Sequence, residues 1–171
     1  DVFSPLPELV SQRLAALHAL RDLRTGVLVV PVTTLMQRLC PPSFLDAHSF
    51  VLKVGDRFDL SATRRRLEQA GYQCVSQVVG HGEFAVRGAL LDLFPMGMDA
   101  PLRIDLLGDE VDSIRTFDPE TQRTVARVDA VRTLPARELP IDSAAIHRFR
   151  SQFRTVFEGD PKQGVPDWIR A

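Results

Sequence analysis

The spacing of apolar residues along the chain separates helical from extended segments. Leucine and valine recur every three or four residues between positions 4 and 24, which predicts a helix with Ser4 as N-cap and Pro5 at the first position. Residues 27–30 then form a continuous, largely β-branched run. Such a run is typical of a strand buried on both faces of a parallel sheet. Together these segments predict one edge of an α/β layer.

The pattern changes after two consecutive prolines at positions 41 and 42. A short helix is predicted over residues 33–39 before them, and a strand over residues 50–54 after them. A second helix is predicted over residues 61–70, capped by Ser61 and ended by Gly71.

Extended segments dominate the centre of the chain. They are predicted over residues 74–79, 83–94, 102–107, 110–117 and 124–134. Apolar and polar residues alternate over residues 102–106, and the Gly108–Asp109 pair that follows predicts a hairpin turn. Strands that return through tight turns form antiparallel sheets, so the central sheet is predicted to be mainly antiparallel.

A last helix is predicted over residues 142–157, with Asp142 as its N-cap. Its apolar positions are expected to be buried: Ile146, Phe149, Phe153 and Val156. The fold class predicted from the whole pattern is α+β. A compact inserted domain at residues 45–130, with a mainly antiparallel sheet and a helix, is flanked by incomplete α/β pieces at 1–44 and 131–171. We therefore expect the chain to be part of a longer protein.

The composition excludes several classes of protein function. The 21 basic residues, nineteen of them arginine, oppose 22 acidic residues, a formal charge of −1. Proteins that bind duplex DNA through their own surface usually carry a basic excess, so this balance argues against that class. Cys40 and Cys74 lack the spacing of a zinc site, and two reduced thiols are predicted. The chain has no apolar run of roughly 18 residues and no signal peptide, which predicts a cytoplasmic protein without membrane contact.

The sequence lacks the motifs that would indicate an enzyme. No glycine is followed by lysine, so the phosphate-binding loop of an ATPase is missing. The acidic residues between 105 and 112 lie around the predicted hairpin turn, where a solvated turn explains them better than a catalytic cleft. No histidine belongs to a metal or nucleophile motif. We therefore predict no catalytic residue, metal or cofactor site in this chain.

Two arginines stand out because they lie inside predicted strands. Arg87 is placed among small and apolar residues, so it must pair with a carboxylate or face a partner. Arg103 alternates with Ile104 and therefore points away from the core, on the same side as Asp105 and Leu107. That row is a candidate protein interface, because arginine and apolar anchors are enriched in binding hot spots. An intramolecular Arg–Asp pair explains Arg103 equally well.

Two long segments make the chain recognisable. Residues 82–95 (GEFAVRGALLDLFP) and 102–118 (LRIDLLGDEVDSIRTFD) resemble the UvrB-interaction type domain of bacterial nucleotide excision repair. The domain is shared by UvrB and by the transcription-repair coupling factors. The flanking residues 29–39 and 87–97 resemble the coupling-factor family, and the run typical of UvrB at the first stretch is absent.

This resemblance implies an N-terminal UvrB-homology module in which degenerate helicase-like pieces flank the inserted domain. Such a module binds UvrA and recruits it to a stalled RNA polymerase. The resemblance implies UvrA contacts at Arg87, Arg103 and Leu107, the last being aromatic in many relatives. A DNA-binding repair module of the UvrB type is the alternative.

The resemblance also implies properties of a longer parent protein. Its ATP-driven DNA translocase, with ATP and Mg, would lie downstream of this chain. RNA polymerase and DNA would contact other parts of the parent. The parent's C-terminal domain would mask the UvrA-binding surface in the resting state.

Overall fold

The computed structural model describes residues 6–156, with side chains as far as residue 153. The helices are α1 (Pro7–Leu20), α2 (Val32–Leu35), α3 (Pro42–His48), α4 (Leu60–Gln69) and α5 (Ser143–Val156). The strands are β1 (Phe50–Lys53), β2 (Gln73–Cys74), β3 (Glu83–Arg87), β4 (Leu90–Leu93), β5 (Leu102–Leu107), β6 (Glu110–Phe117), β7 (Thr124–Val128) and β8 (Ala130–Thr133). The chain divides into two compact units, and the second, which contains α5, begins at Pro140.

Six strands form the main sheet in the order β2-β3-β4-β5-β6-β7. Its neighbours are antiparallel except for the short parallel pair β2–β3. Strands β1 and β8 form a separate antiparallel pair. The predicted α+β class with a mainly antiparallel sheet is confirmed.

Two of the predicted strands are each divided in the structure. The segment predicted over residues 83–94 is the hairpin β3–β4, which turns at Gly88 in the left-handed region with φ 60°. Glycine adopts this conformation without a steric cost, and the sequence reading overlooked that turn signal. The segment predicted over 124–134 is also two strands, because β7 pairs with β6 whereas β8 pairs with β1.

The strand predicted over residues 27–30 is absent from the structure. These residues are irregular, and Val27 is 90% exposed. A strand is defined by hydrogen bonds to a neighbour, and within residues 6–156 no strand pairs with this run. The prediction of a buried strand was therefore wrong for this chain, although the β-branched pattern is real.

Several predicted helix and strand ends also need correction. Helix α4 is capped by Asp59, whose Oδ1 accepts a hydrogen bond from the amide of Ala62 at 2.9 Å, and not by Ser61. Helix α2 ends at Leu35, short of the predicted residue 39, and β2 ends at Cys74, short of residue 79. Helix α1 begins at Pro7 with Leu6 as its N-cap and ends at Leu20, short of the predicted residue 24, and the predicted cap Ser4 lies outside the described residues.

Helix α5 confirms the predicted cap but not the predicted burial. The Asp142 carboxylate accepts a hydrogen bond from the amide of Ala145 at 2.7 Å. Phe149 is 65% exposed, and Ile146 and Phe153 are also exposed to solvent. Apolar spacing indicates which face of a helix can be buried, but burial itself needs a partner surface. The side chain of Val156 and the predicted end at Phe157 lie outside the described side chains.

The main sheet separates two apolar clusters. The larger, main core lies against one face and includes Phe84, Leu91, Ile104 and Ile114 from the sheet and Leu67 from α4. The smaller cluster lies on the other face, which we call the outer face. It consists of Val78, Ala85, Phe94 and Phe117. The outer face therefore has its own small core beside its polar residues.

The two cysteines are free and differ in exposure, which allows a labelling test. Cys74 is exposed, whereas Cys40 is 5% exposed and its burial raises the pKa of the thiol to about 11. At pH 8, only about one Cys40 thiol in a thousand is then the reactive thiolate. We expect one thiol of the folded chain to react rapidly with an aromatic disulfide reagent and the second to react after urea unfolding. Cys74→Ser should remove the fast phase, and equal rates for both thiols would contradict the prediction.

Candidate protein-docking site

A buried carboxylate lies at the centre of the outer face. Asp92 on β4 is 1% exposed, and its neighbours in the strand, Leu91 and Leu93, point into the main core. In register, Asp92 faces Ala85 on β3 and Arg103 on β5. A buried charge needs a partner of opposite sign, so the surroundings of Asp92 determine which arginines it binds.

Arg103 forms a bidentate ion pair with Asp92. Its Nε and Nη2 donate to the two carboxylate oxygens at 2.7 and 2.9 Å, and this hydrogen bonding raises the pKa of the guanidinium above its ordinary value. The guanidinium also lies over the ring of Phe117 at 4.7 Å from its centroid. Its Nη1 donates to the carbonyl of Gln122 at 3.2 Å. The side chain is 17% exposed, and these three contacts hold its guanidinium in place.

Arg87 binds the same carboxylate from the neighbouring strand. It is the last residue of β3, and its Nη2 donates to Asp92 Oδ2. The side chain is 49% exposed, so much of its guanidinium remains available to another molecule. An arginine has five N–H donors, and one carboxylate engages only some of them. Asp92 thus holds both predicted arginines at one place.

Leu107 occupies the end of β5, next to the turn into β6. It is 75% exposed and pairs in register with Glu110, which confirms the predicted hairpin at Gly108 and Asp109. Its neighbour Leu106 donates an amide hydrogen bond to the carbonyl of Ala89 in the β3–β4 turn. Leu107 is therefore an exposed apolar side chain at the same end of the sheet as the turn that follows Arg87.

The residues of the predicted row lie along β5 on the outer face, and Arg103 forms an intramolecular Arg–Asp pair, which was one of its two predicted explanations. Asp105 does not pair with Arg103; it binds Arg115 on β6 and accepts a hydrogen bond from Ser113 at 2.9 Å. The carboxylate for Arg103 comes instead from Asp92, which the sequence reading missed. A lone aspartate within the apolar run of residues 89–94 was the signal that could have found it.

No helix in the part of the chain that the structure describes is both long and apolar enough to cross a membrane.

The fold and the site define an α+β domain with paired arginines on the outer face of an antiparallel sheet. The profile of the UvrB interaction domain matches residues 50–139, which include β1 to β8 and all three predicted contact residues. The chain belongs to the UvrB interaction domain family.

Similar proteins agree with this assignment and confirm the predicted resemblance to the coupling-factor family. The chain is 54% identical over 158 residues to the transcription-repair-coupling factor of Escherichia coli strain K12, and 52% identical over 157 residues to that of Haemophilus influenzae. Each match covers 92% of this chain and 14% of the relative. The corresponding protein of Staphylococcus aureus strain USA300 is 35% identical over 152 residues, with 89% of this chain and 13% of the relative covered. The chain thus spans about one seventh of the length of these relatives.

Proposed function

We propose that this chain is the UvrA-docking module of a transcription-repair coupling factor. In the parent protein it would recruit UvrA to a stalled RNA polymerase during nucleotide excision repair. The observation that carries the proposal is the meeting of Arg87 and Arg103 on the buried Asp92, within the segment that matches the UvrB interaction domain.

The geometry supports a protein partner because it combines a fixed cation with an apolar anchor. Arg103 is held by Asp92 and Phe117, so little side-chain entropy is lost when a partner binds it. Arg87 keeps half of its surface accessible, and Leu107 offers exposed apolar area. Arginine and well-placed apolar side chains carry much of the binding energy at protein interfaces.

We further propose that other parts of a cytoplasmic parent protein carry its remaining activities. The ATP-dependent translocase, with its ATP and Mg, would lie outside this chain, as would the contacts to RNA polymerase and DNA. The parent's C-terminal domain would cover the outer face in the resting state. The domain limits of 1–44, 45–130 and 131–171 form part of the same proposal.

The proposal predicts a specific loss of affinity for UvrA. Arg87→Ala should weaken the binding of the 171-residue chain to purified UvrA by about thirtyfold, since truncation of a hot-spot arginine costs about 2 kcal/mol. Because Arg87 is half exposed, this variant should fold normally. Isothermal titration measures the affinity. Arg103→Ala should weaken binding similarly, with its fold checked by urea unfolding because Asp92 loses its bidentate partner.

Arg65→Ala is the matched control. Arg65 is an exposed arginine of α4, which packs on the main-core side of the sheet. The control removes the same charge and should leave the affinity unchanged. Native affinity in both the Arg87 and Arg103 variants would overturn the site assignment, and failure of the native chain to bind UvrA would overturn the proposed function.

A further inference from the structure

Three arginines lie directly opposite one another across the outer face. Arg103 on β5 is in register with Arg115 on β6, which is in register with Arg127 on the edge strand β7. We call this set the arginine row. Like charges at directly opposed strand positions destabilise a sheet, so each member of the row needs a compensating charge.

Compensation within the domain decreases along the row. Arg103 is bound by Asp92 and is largely buried, whereas Arg115 is bound by Asp105 and its side chain is 30% exposed. Arg127 is exposed, and within residues 6–156 its side chain makes no ion pair or hydrogen bond. The arginine at the edge of the sheet is therefore the one left for an external partner.

The centre of the outer face carries a local positive charge that the composition conceals. Arg87 and the three residues of the arginine row surround two carboxylates, Asp92 and Asp105, so the centre of the face has two more positive than negative charges, whereas Glu83 and Glu110 lie towards the ends of the same face. The whole chain has a formal charge of −1. A local surplus of this kind steers an approaching molecule of opposite sign and fixes its orientation.

We propose that the arginine row extends the docking surface from Arg103 to the edge strand β7, and that Arg127 meets a carboxylate on an acidic face of the protein partner. The inference rests on the proposed function, because it assigns the partner's chemistry at the same surface. Arg127 forms the exposed rim of the site, and Asp92 with its two arginines forms its centre.

An acidic protein surface fits this face better than a nucleic acid does. Two of the charges on the face are buried or half-buried carboxylates, which would oppose a continuous line of phosphates. The exposed Leu107 lies on the same strand as Arg103 and adds an apolar contact. Protein interfaces combine such an apolar anchor with a polar, charged rim.

The test is the association rate of the 171-residue chain with purified UvrA, measured at low and at high salt. Rim charges act mainly on association, so Arg127→Glu should slow it about fivefold at low salt, with a smaller difference at high salt. The dissociation rate should change less. Arg65→Glu makes the same charge change on α4 and should leave the association rate close to that of the native chain.

The outcomes separate this inference from the proposed function. Equal slowing by Arg127→Glu and Arg65→Glu would show an effect of net charge alone and would overturn the inference. Native association of Arg127→Glu, alongside weakened binding by Arg87→Ala, would overturn the inference and leave the proposed function standing. Loss of duplex DNA binding by Arg127→Glu, with native UvrA association, would assign the row to nucleic acid. A native chain that does not bind UvrA would overturn both.

Discussion

Asp92→Ala should lower the free energy of unfolding of this chain by about 3 kcal/mol. Removal of one partner from a buried ion pair typically costs about 3–5 kcal/mol because the other charge remains without compensation. We expect the lower end of this range because Arg87 is half exposed, so water can solvate its charge once Asp92 is removed. Arg103 is largely buried and would keep an uncompensated charge. Urea denaturation followed by circular dichroism measures the change.

Two further variants identify the cause of this loss. Asp112→Ala removes an exposed carboxylate from β6 and should change the stability by less than about 0.5 kcal/mol. The double variant Asp92→Leu with Arg103→Leu removes both buried charges, and it should recover much of the stability because apolar residues can replace a buried ion pair. A loss for Asp92→Ala no larger than that for Asp112→Ala would contradict the central role given to Asp92.

Phe117→Ala should lower the free energy of unfolding by about 3–4 kcal/mol. Phe117 is 1% exposed, packs with Val78 and Phe94, and supports the guanidinium of Arg103. Truncation of a buried phenylalanine usually costs about 3–5 kcal/mol through lost burial and the remaining cavity. Phe117 belongs to the smaller cluster, where fewer buried side chains contact it. Its truncation therefore removes fewer contacts, and the lower part of that range is expected. Urea denaturation again provides the measurement.

Two comparison variants are Phe117→Leu and a truncation of the exposed Val125. Phe117→Leu keeps apolar volume but loses the ring beneath Arg103, so it should cost less than the alanine variant. Val125→Ala on β7 changes an exposed apolar residue and should be nearly neutral. If Phe117→Ala were as stable as Val125→Ala, the outer face would not contain a second core.

Predictions at the level of the fold succeeded where local pattern and local geometry agree. The β5–β6 hairpin follows from the alternation of residues 102–106 and from the Gly108–Asp109 turn, which needs no distant partner. The prediction failed where a run of apolar residues concealed a turn, as at Gly88, or where a segment needed a partner strand, as at residues 27–30. The exposed face of α5 illustrates the same limit for helices.

The three predicted contact residues show which features of the site could be predicted from the sequence. Alternation along β5 placed Arg103 and Leu107 on one face of the strand, away from the core, and the family resemblance predicted UvrA contacts at both of them and at Arg87. Whether these three residues bind UvrA is still a prediction. The role of Asp92 was not foreseen, because a carboxylate in an apolar run has no local feature that identifies the arginines it will bind.

The sequence by itself therefore determined the α+β class, the family and the face on which Arg103 lies, because alternation and turn chemistry act between near neighbours in the chain. Only the tertiary structure decided which charges meet. The register of β3, β4 and β5 brings Arg87 and Arg103 to Asp92, and the register of β5, β6 and β7 aligns Arg103 with Arg115 and Arg127. Register depends on pairing between separate strands, and a shift by one residue would move every side chain to the opposite face.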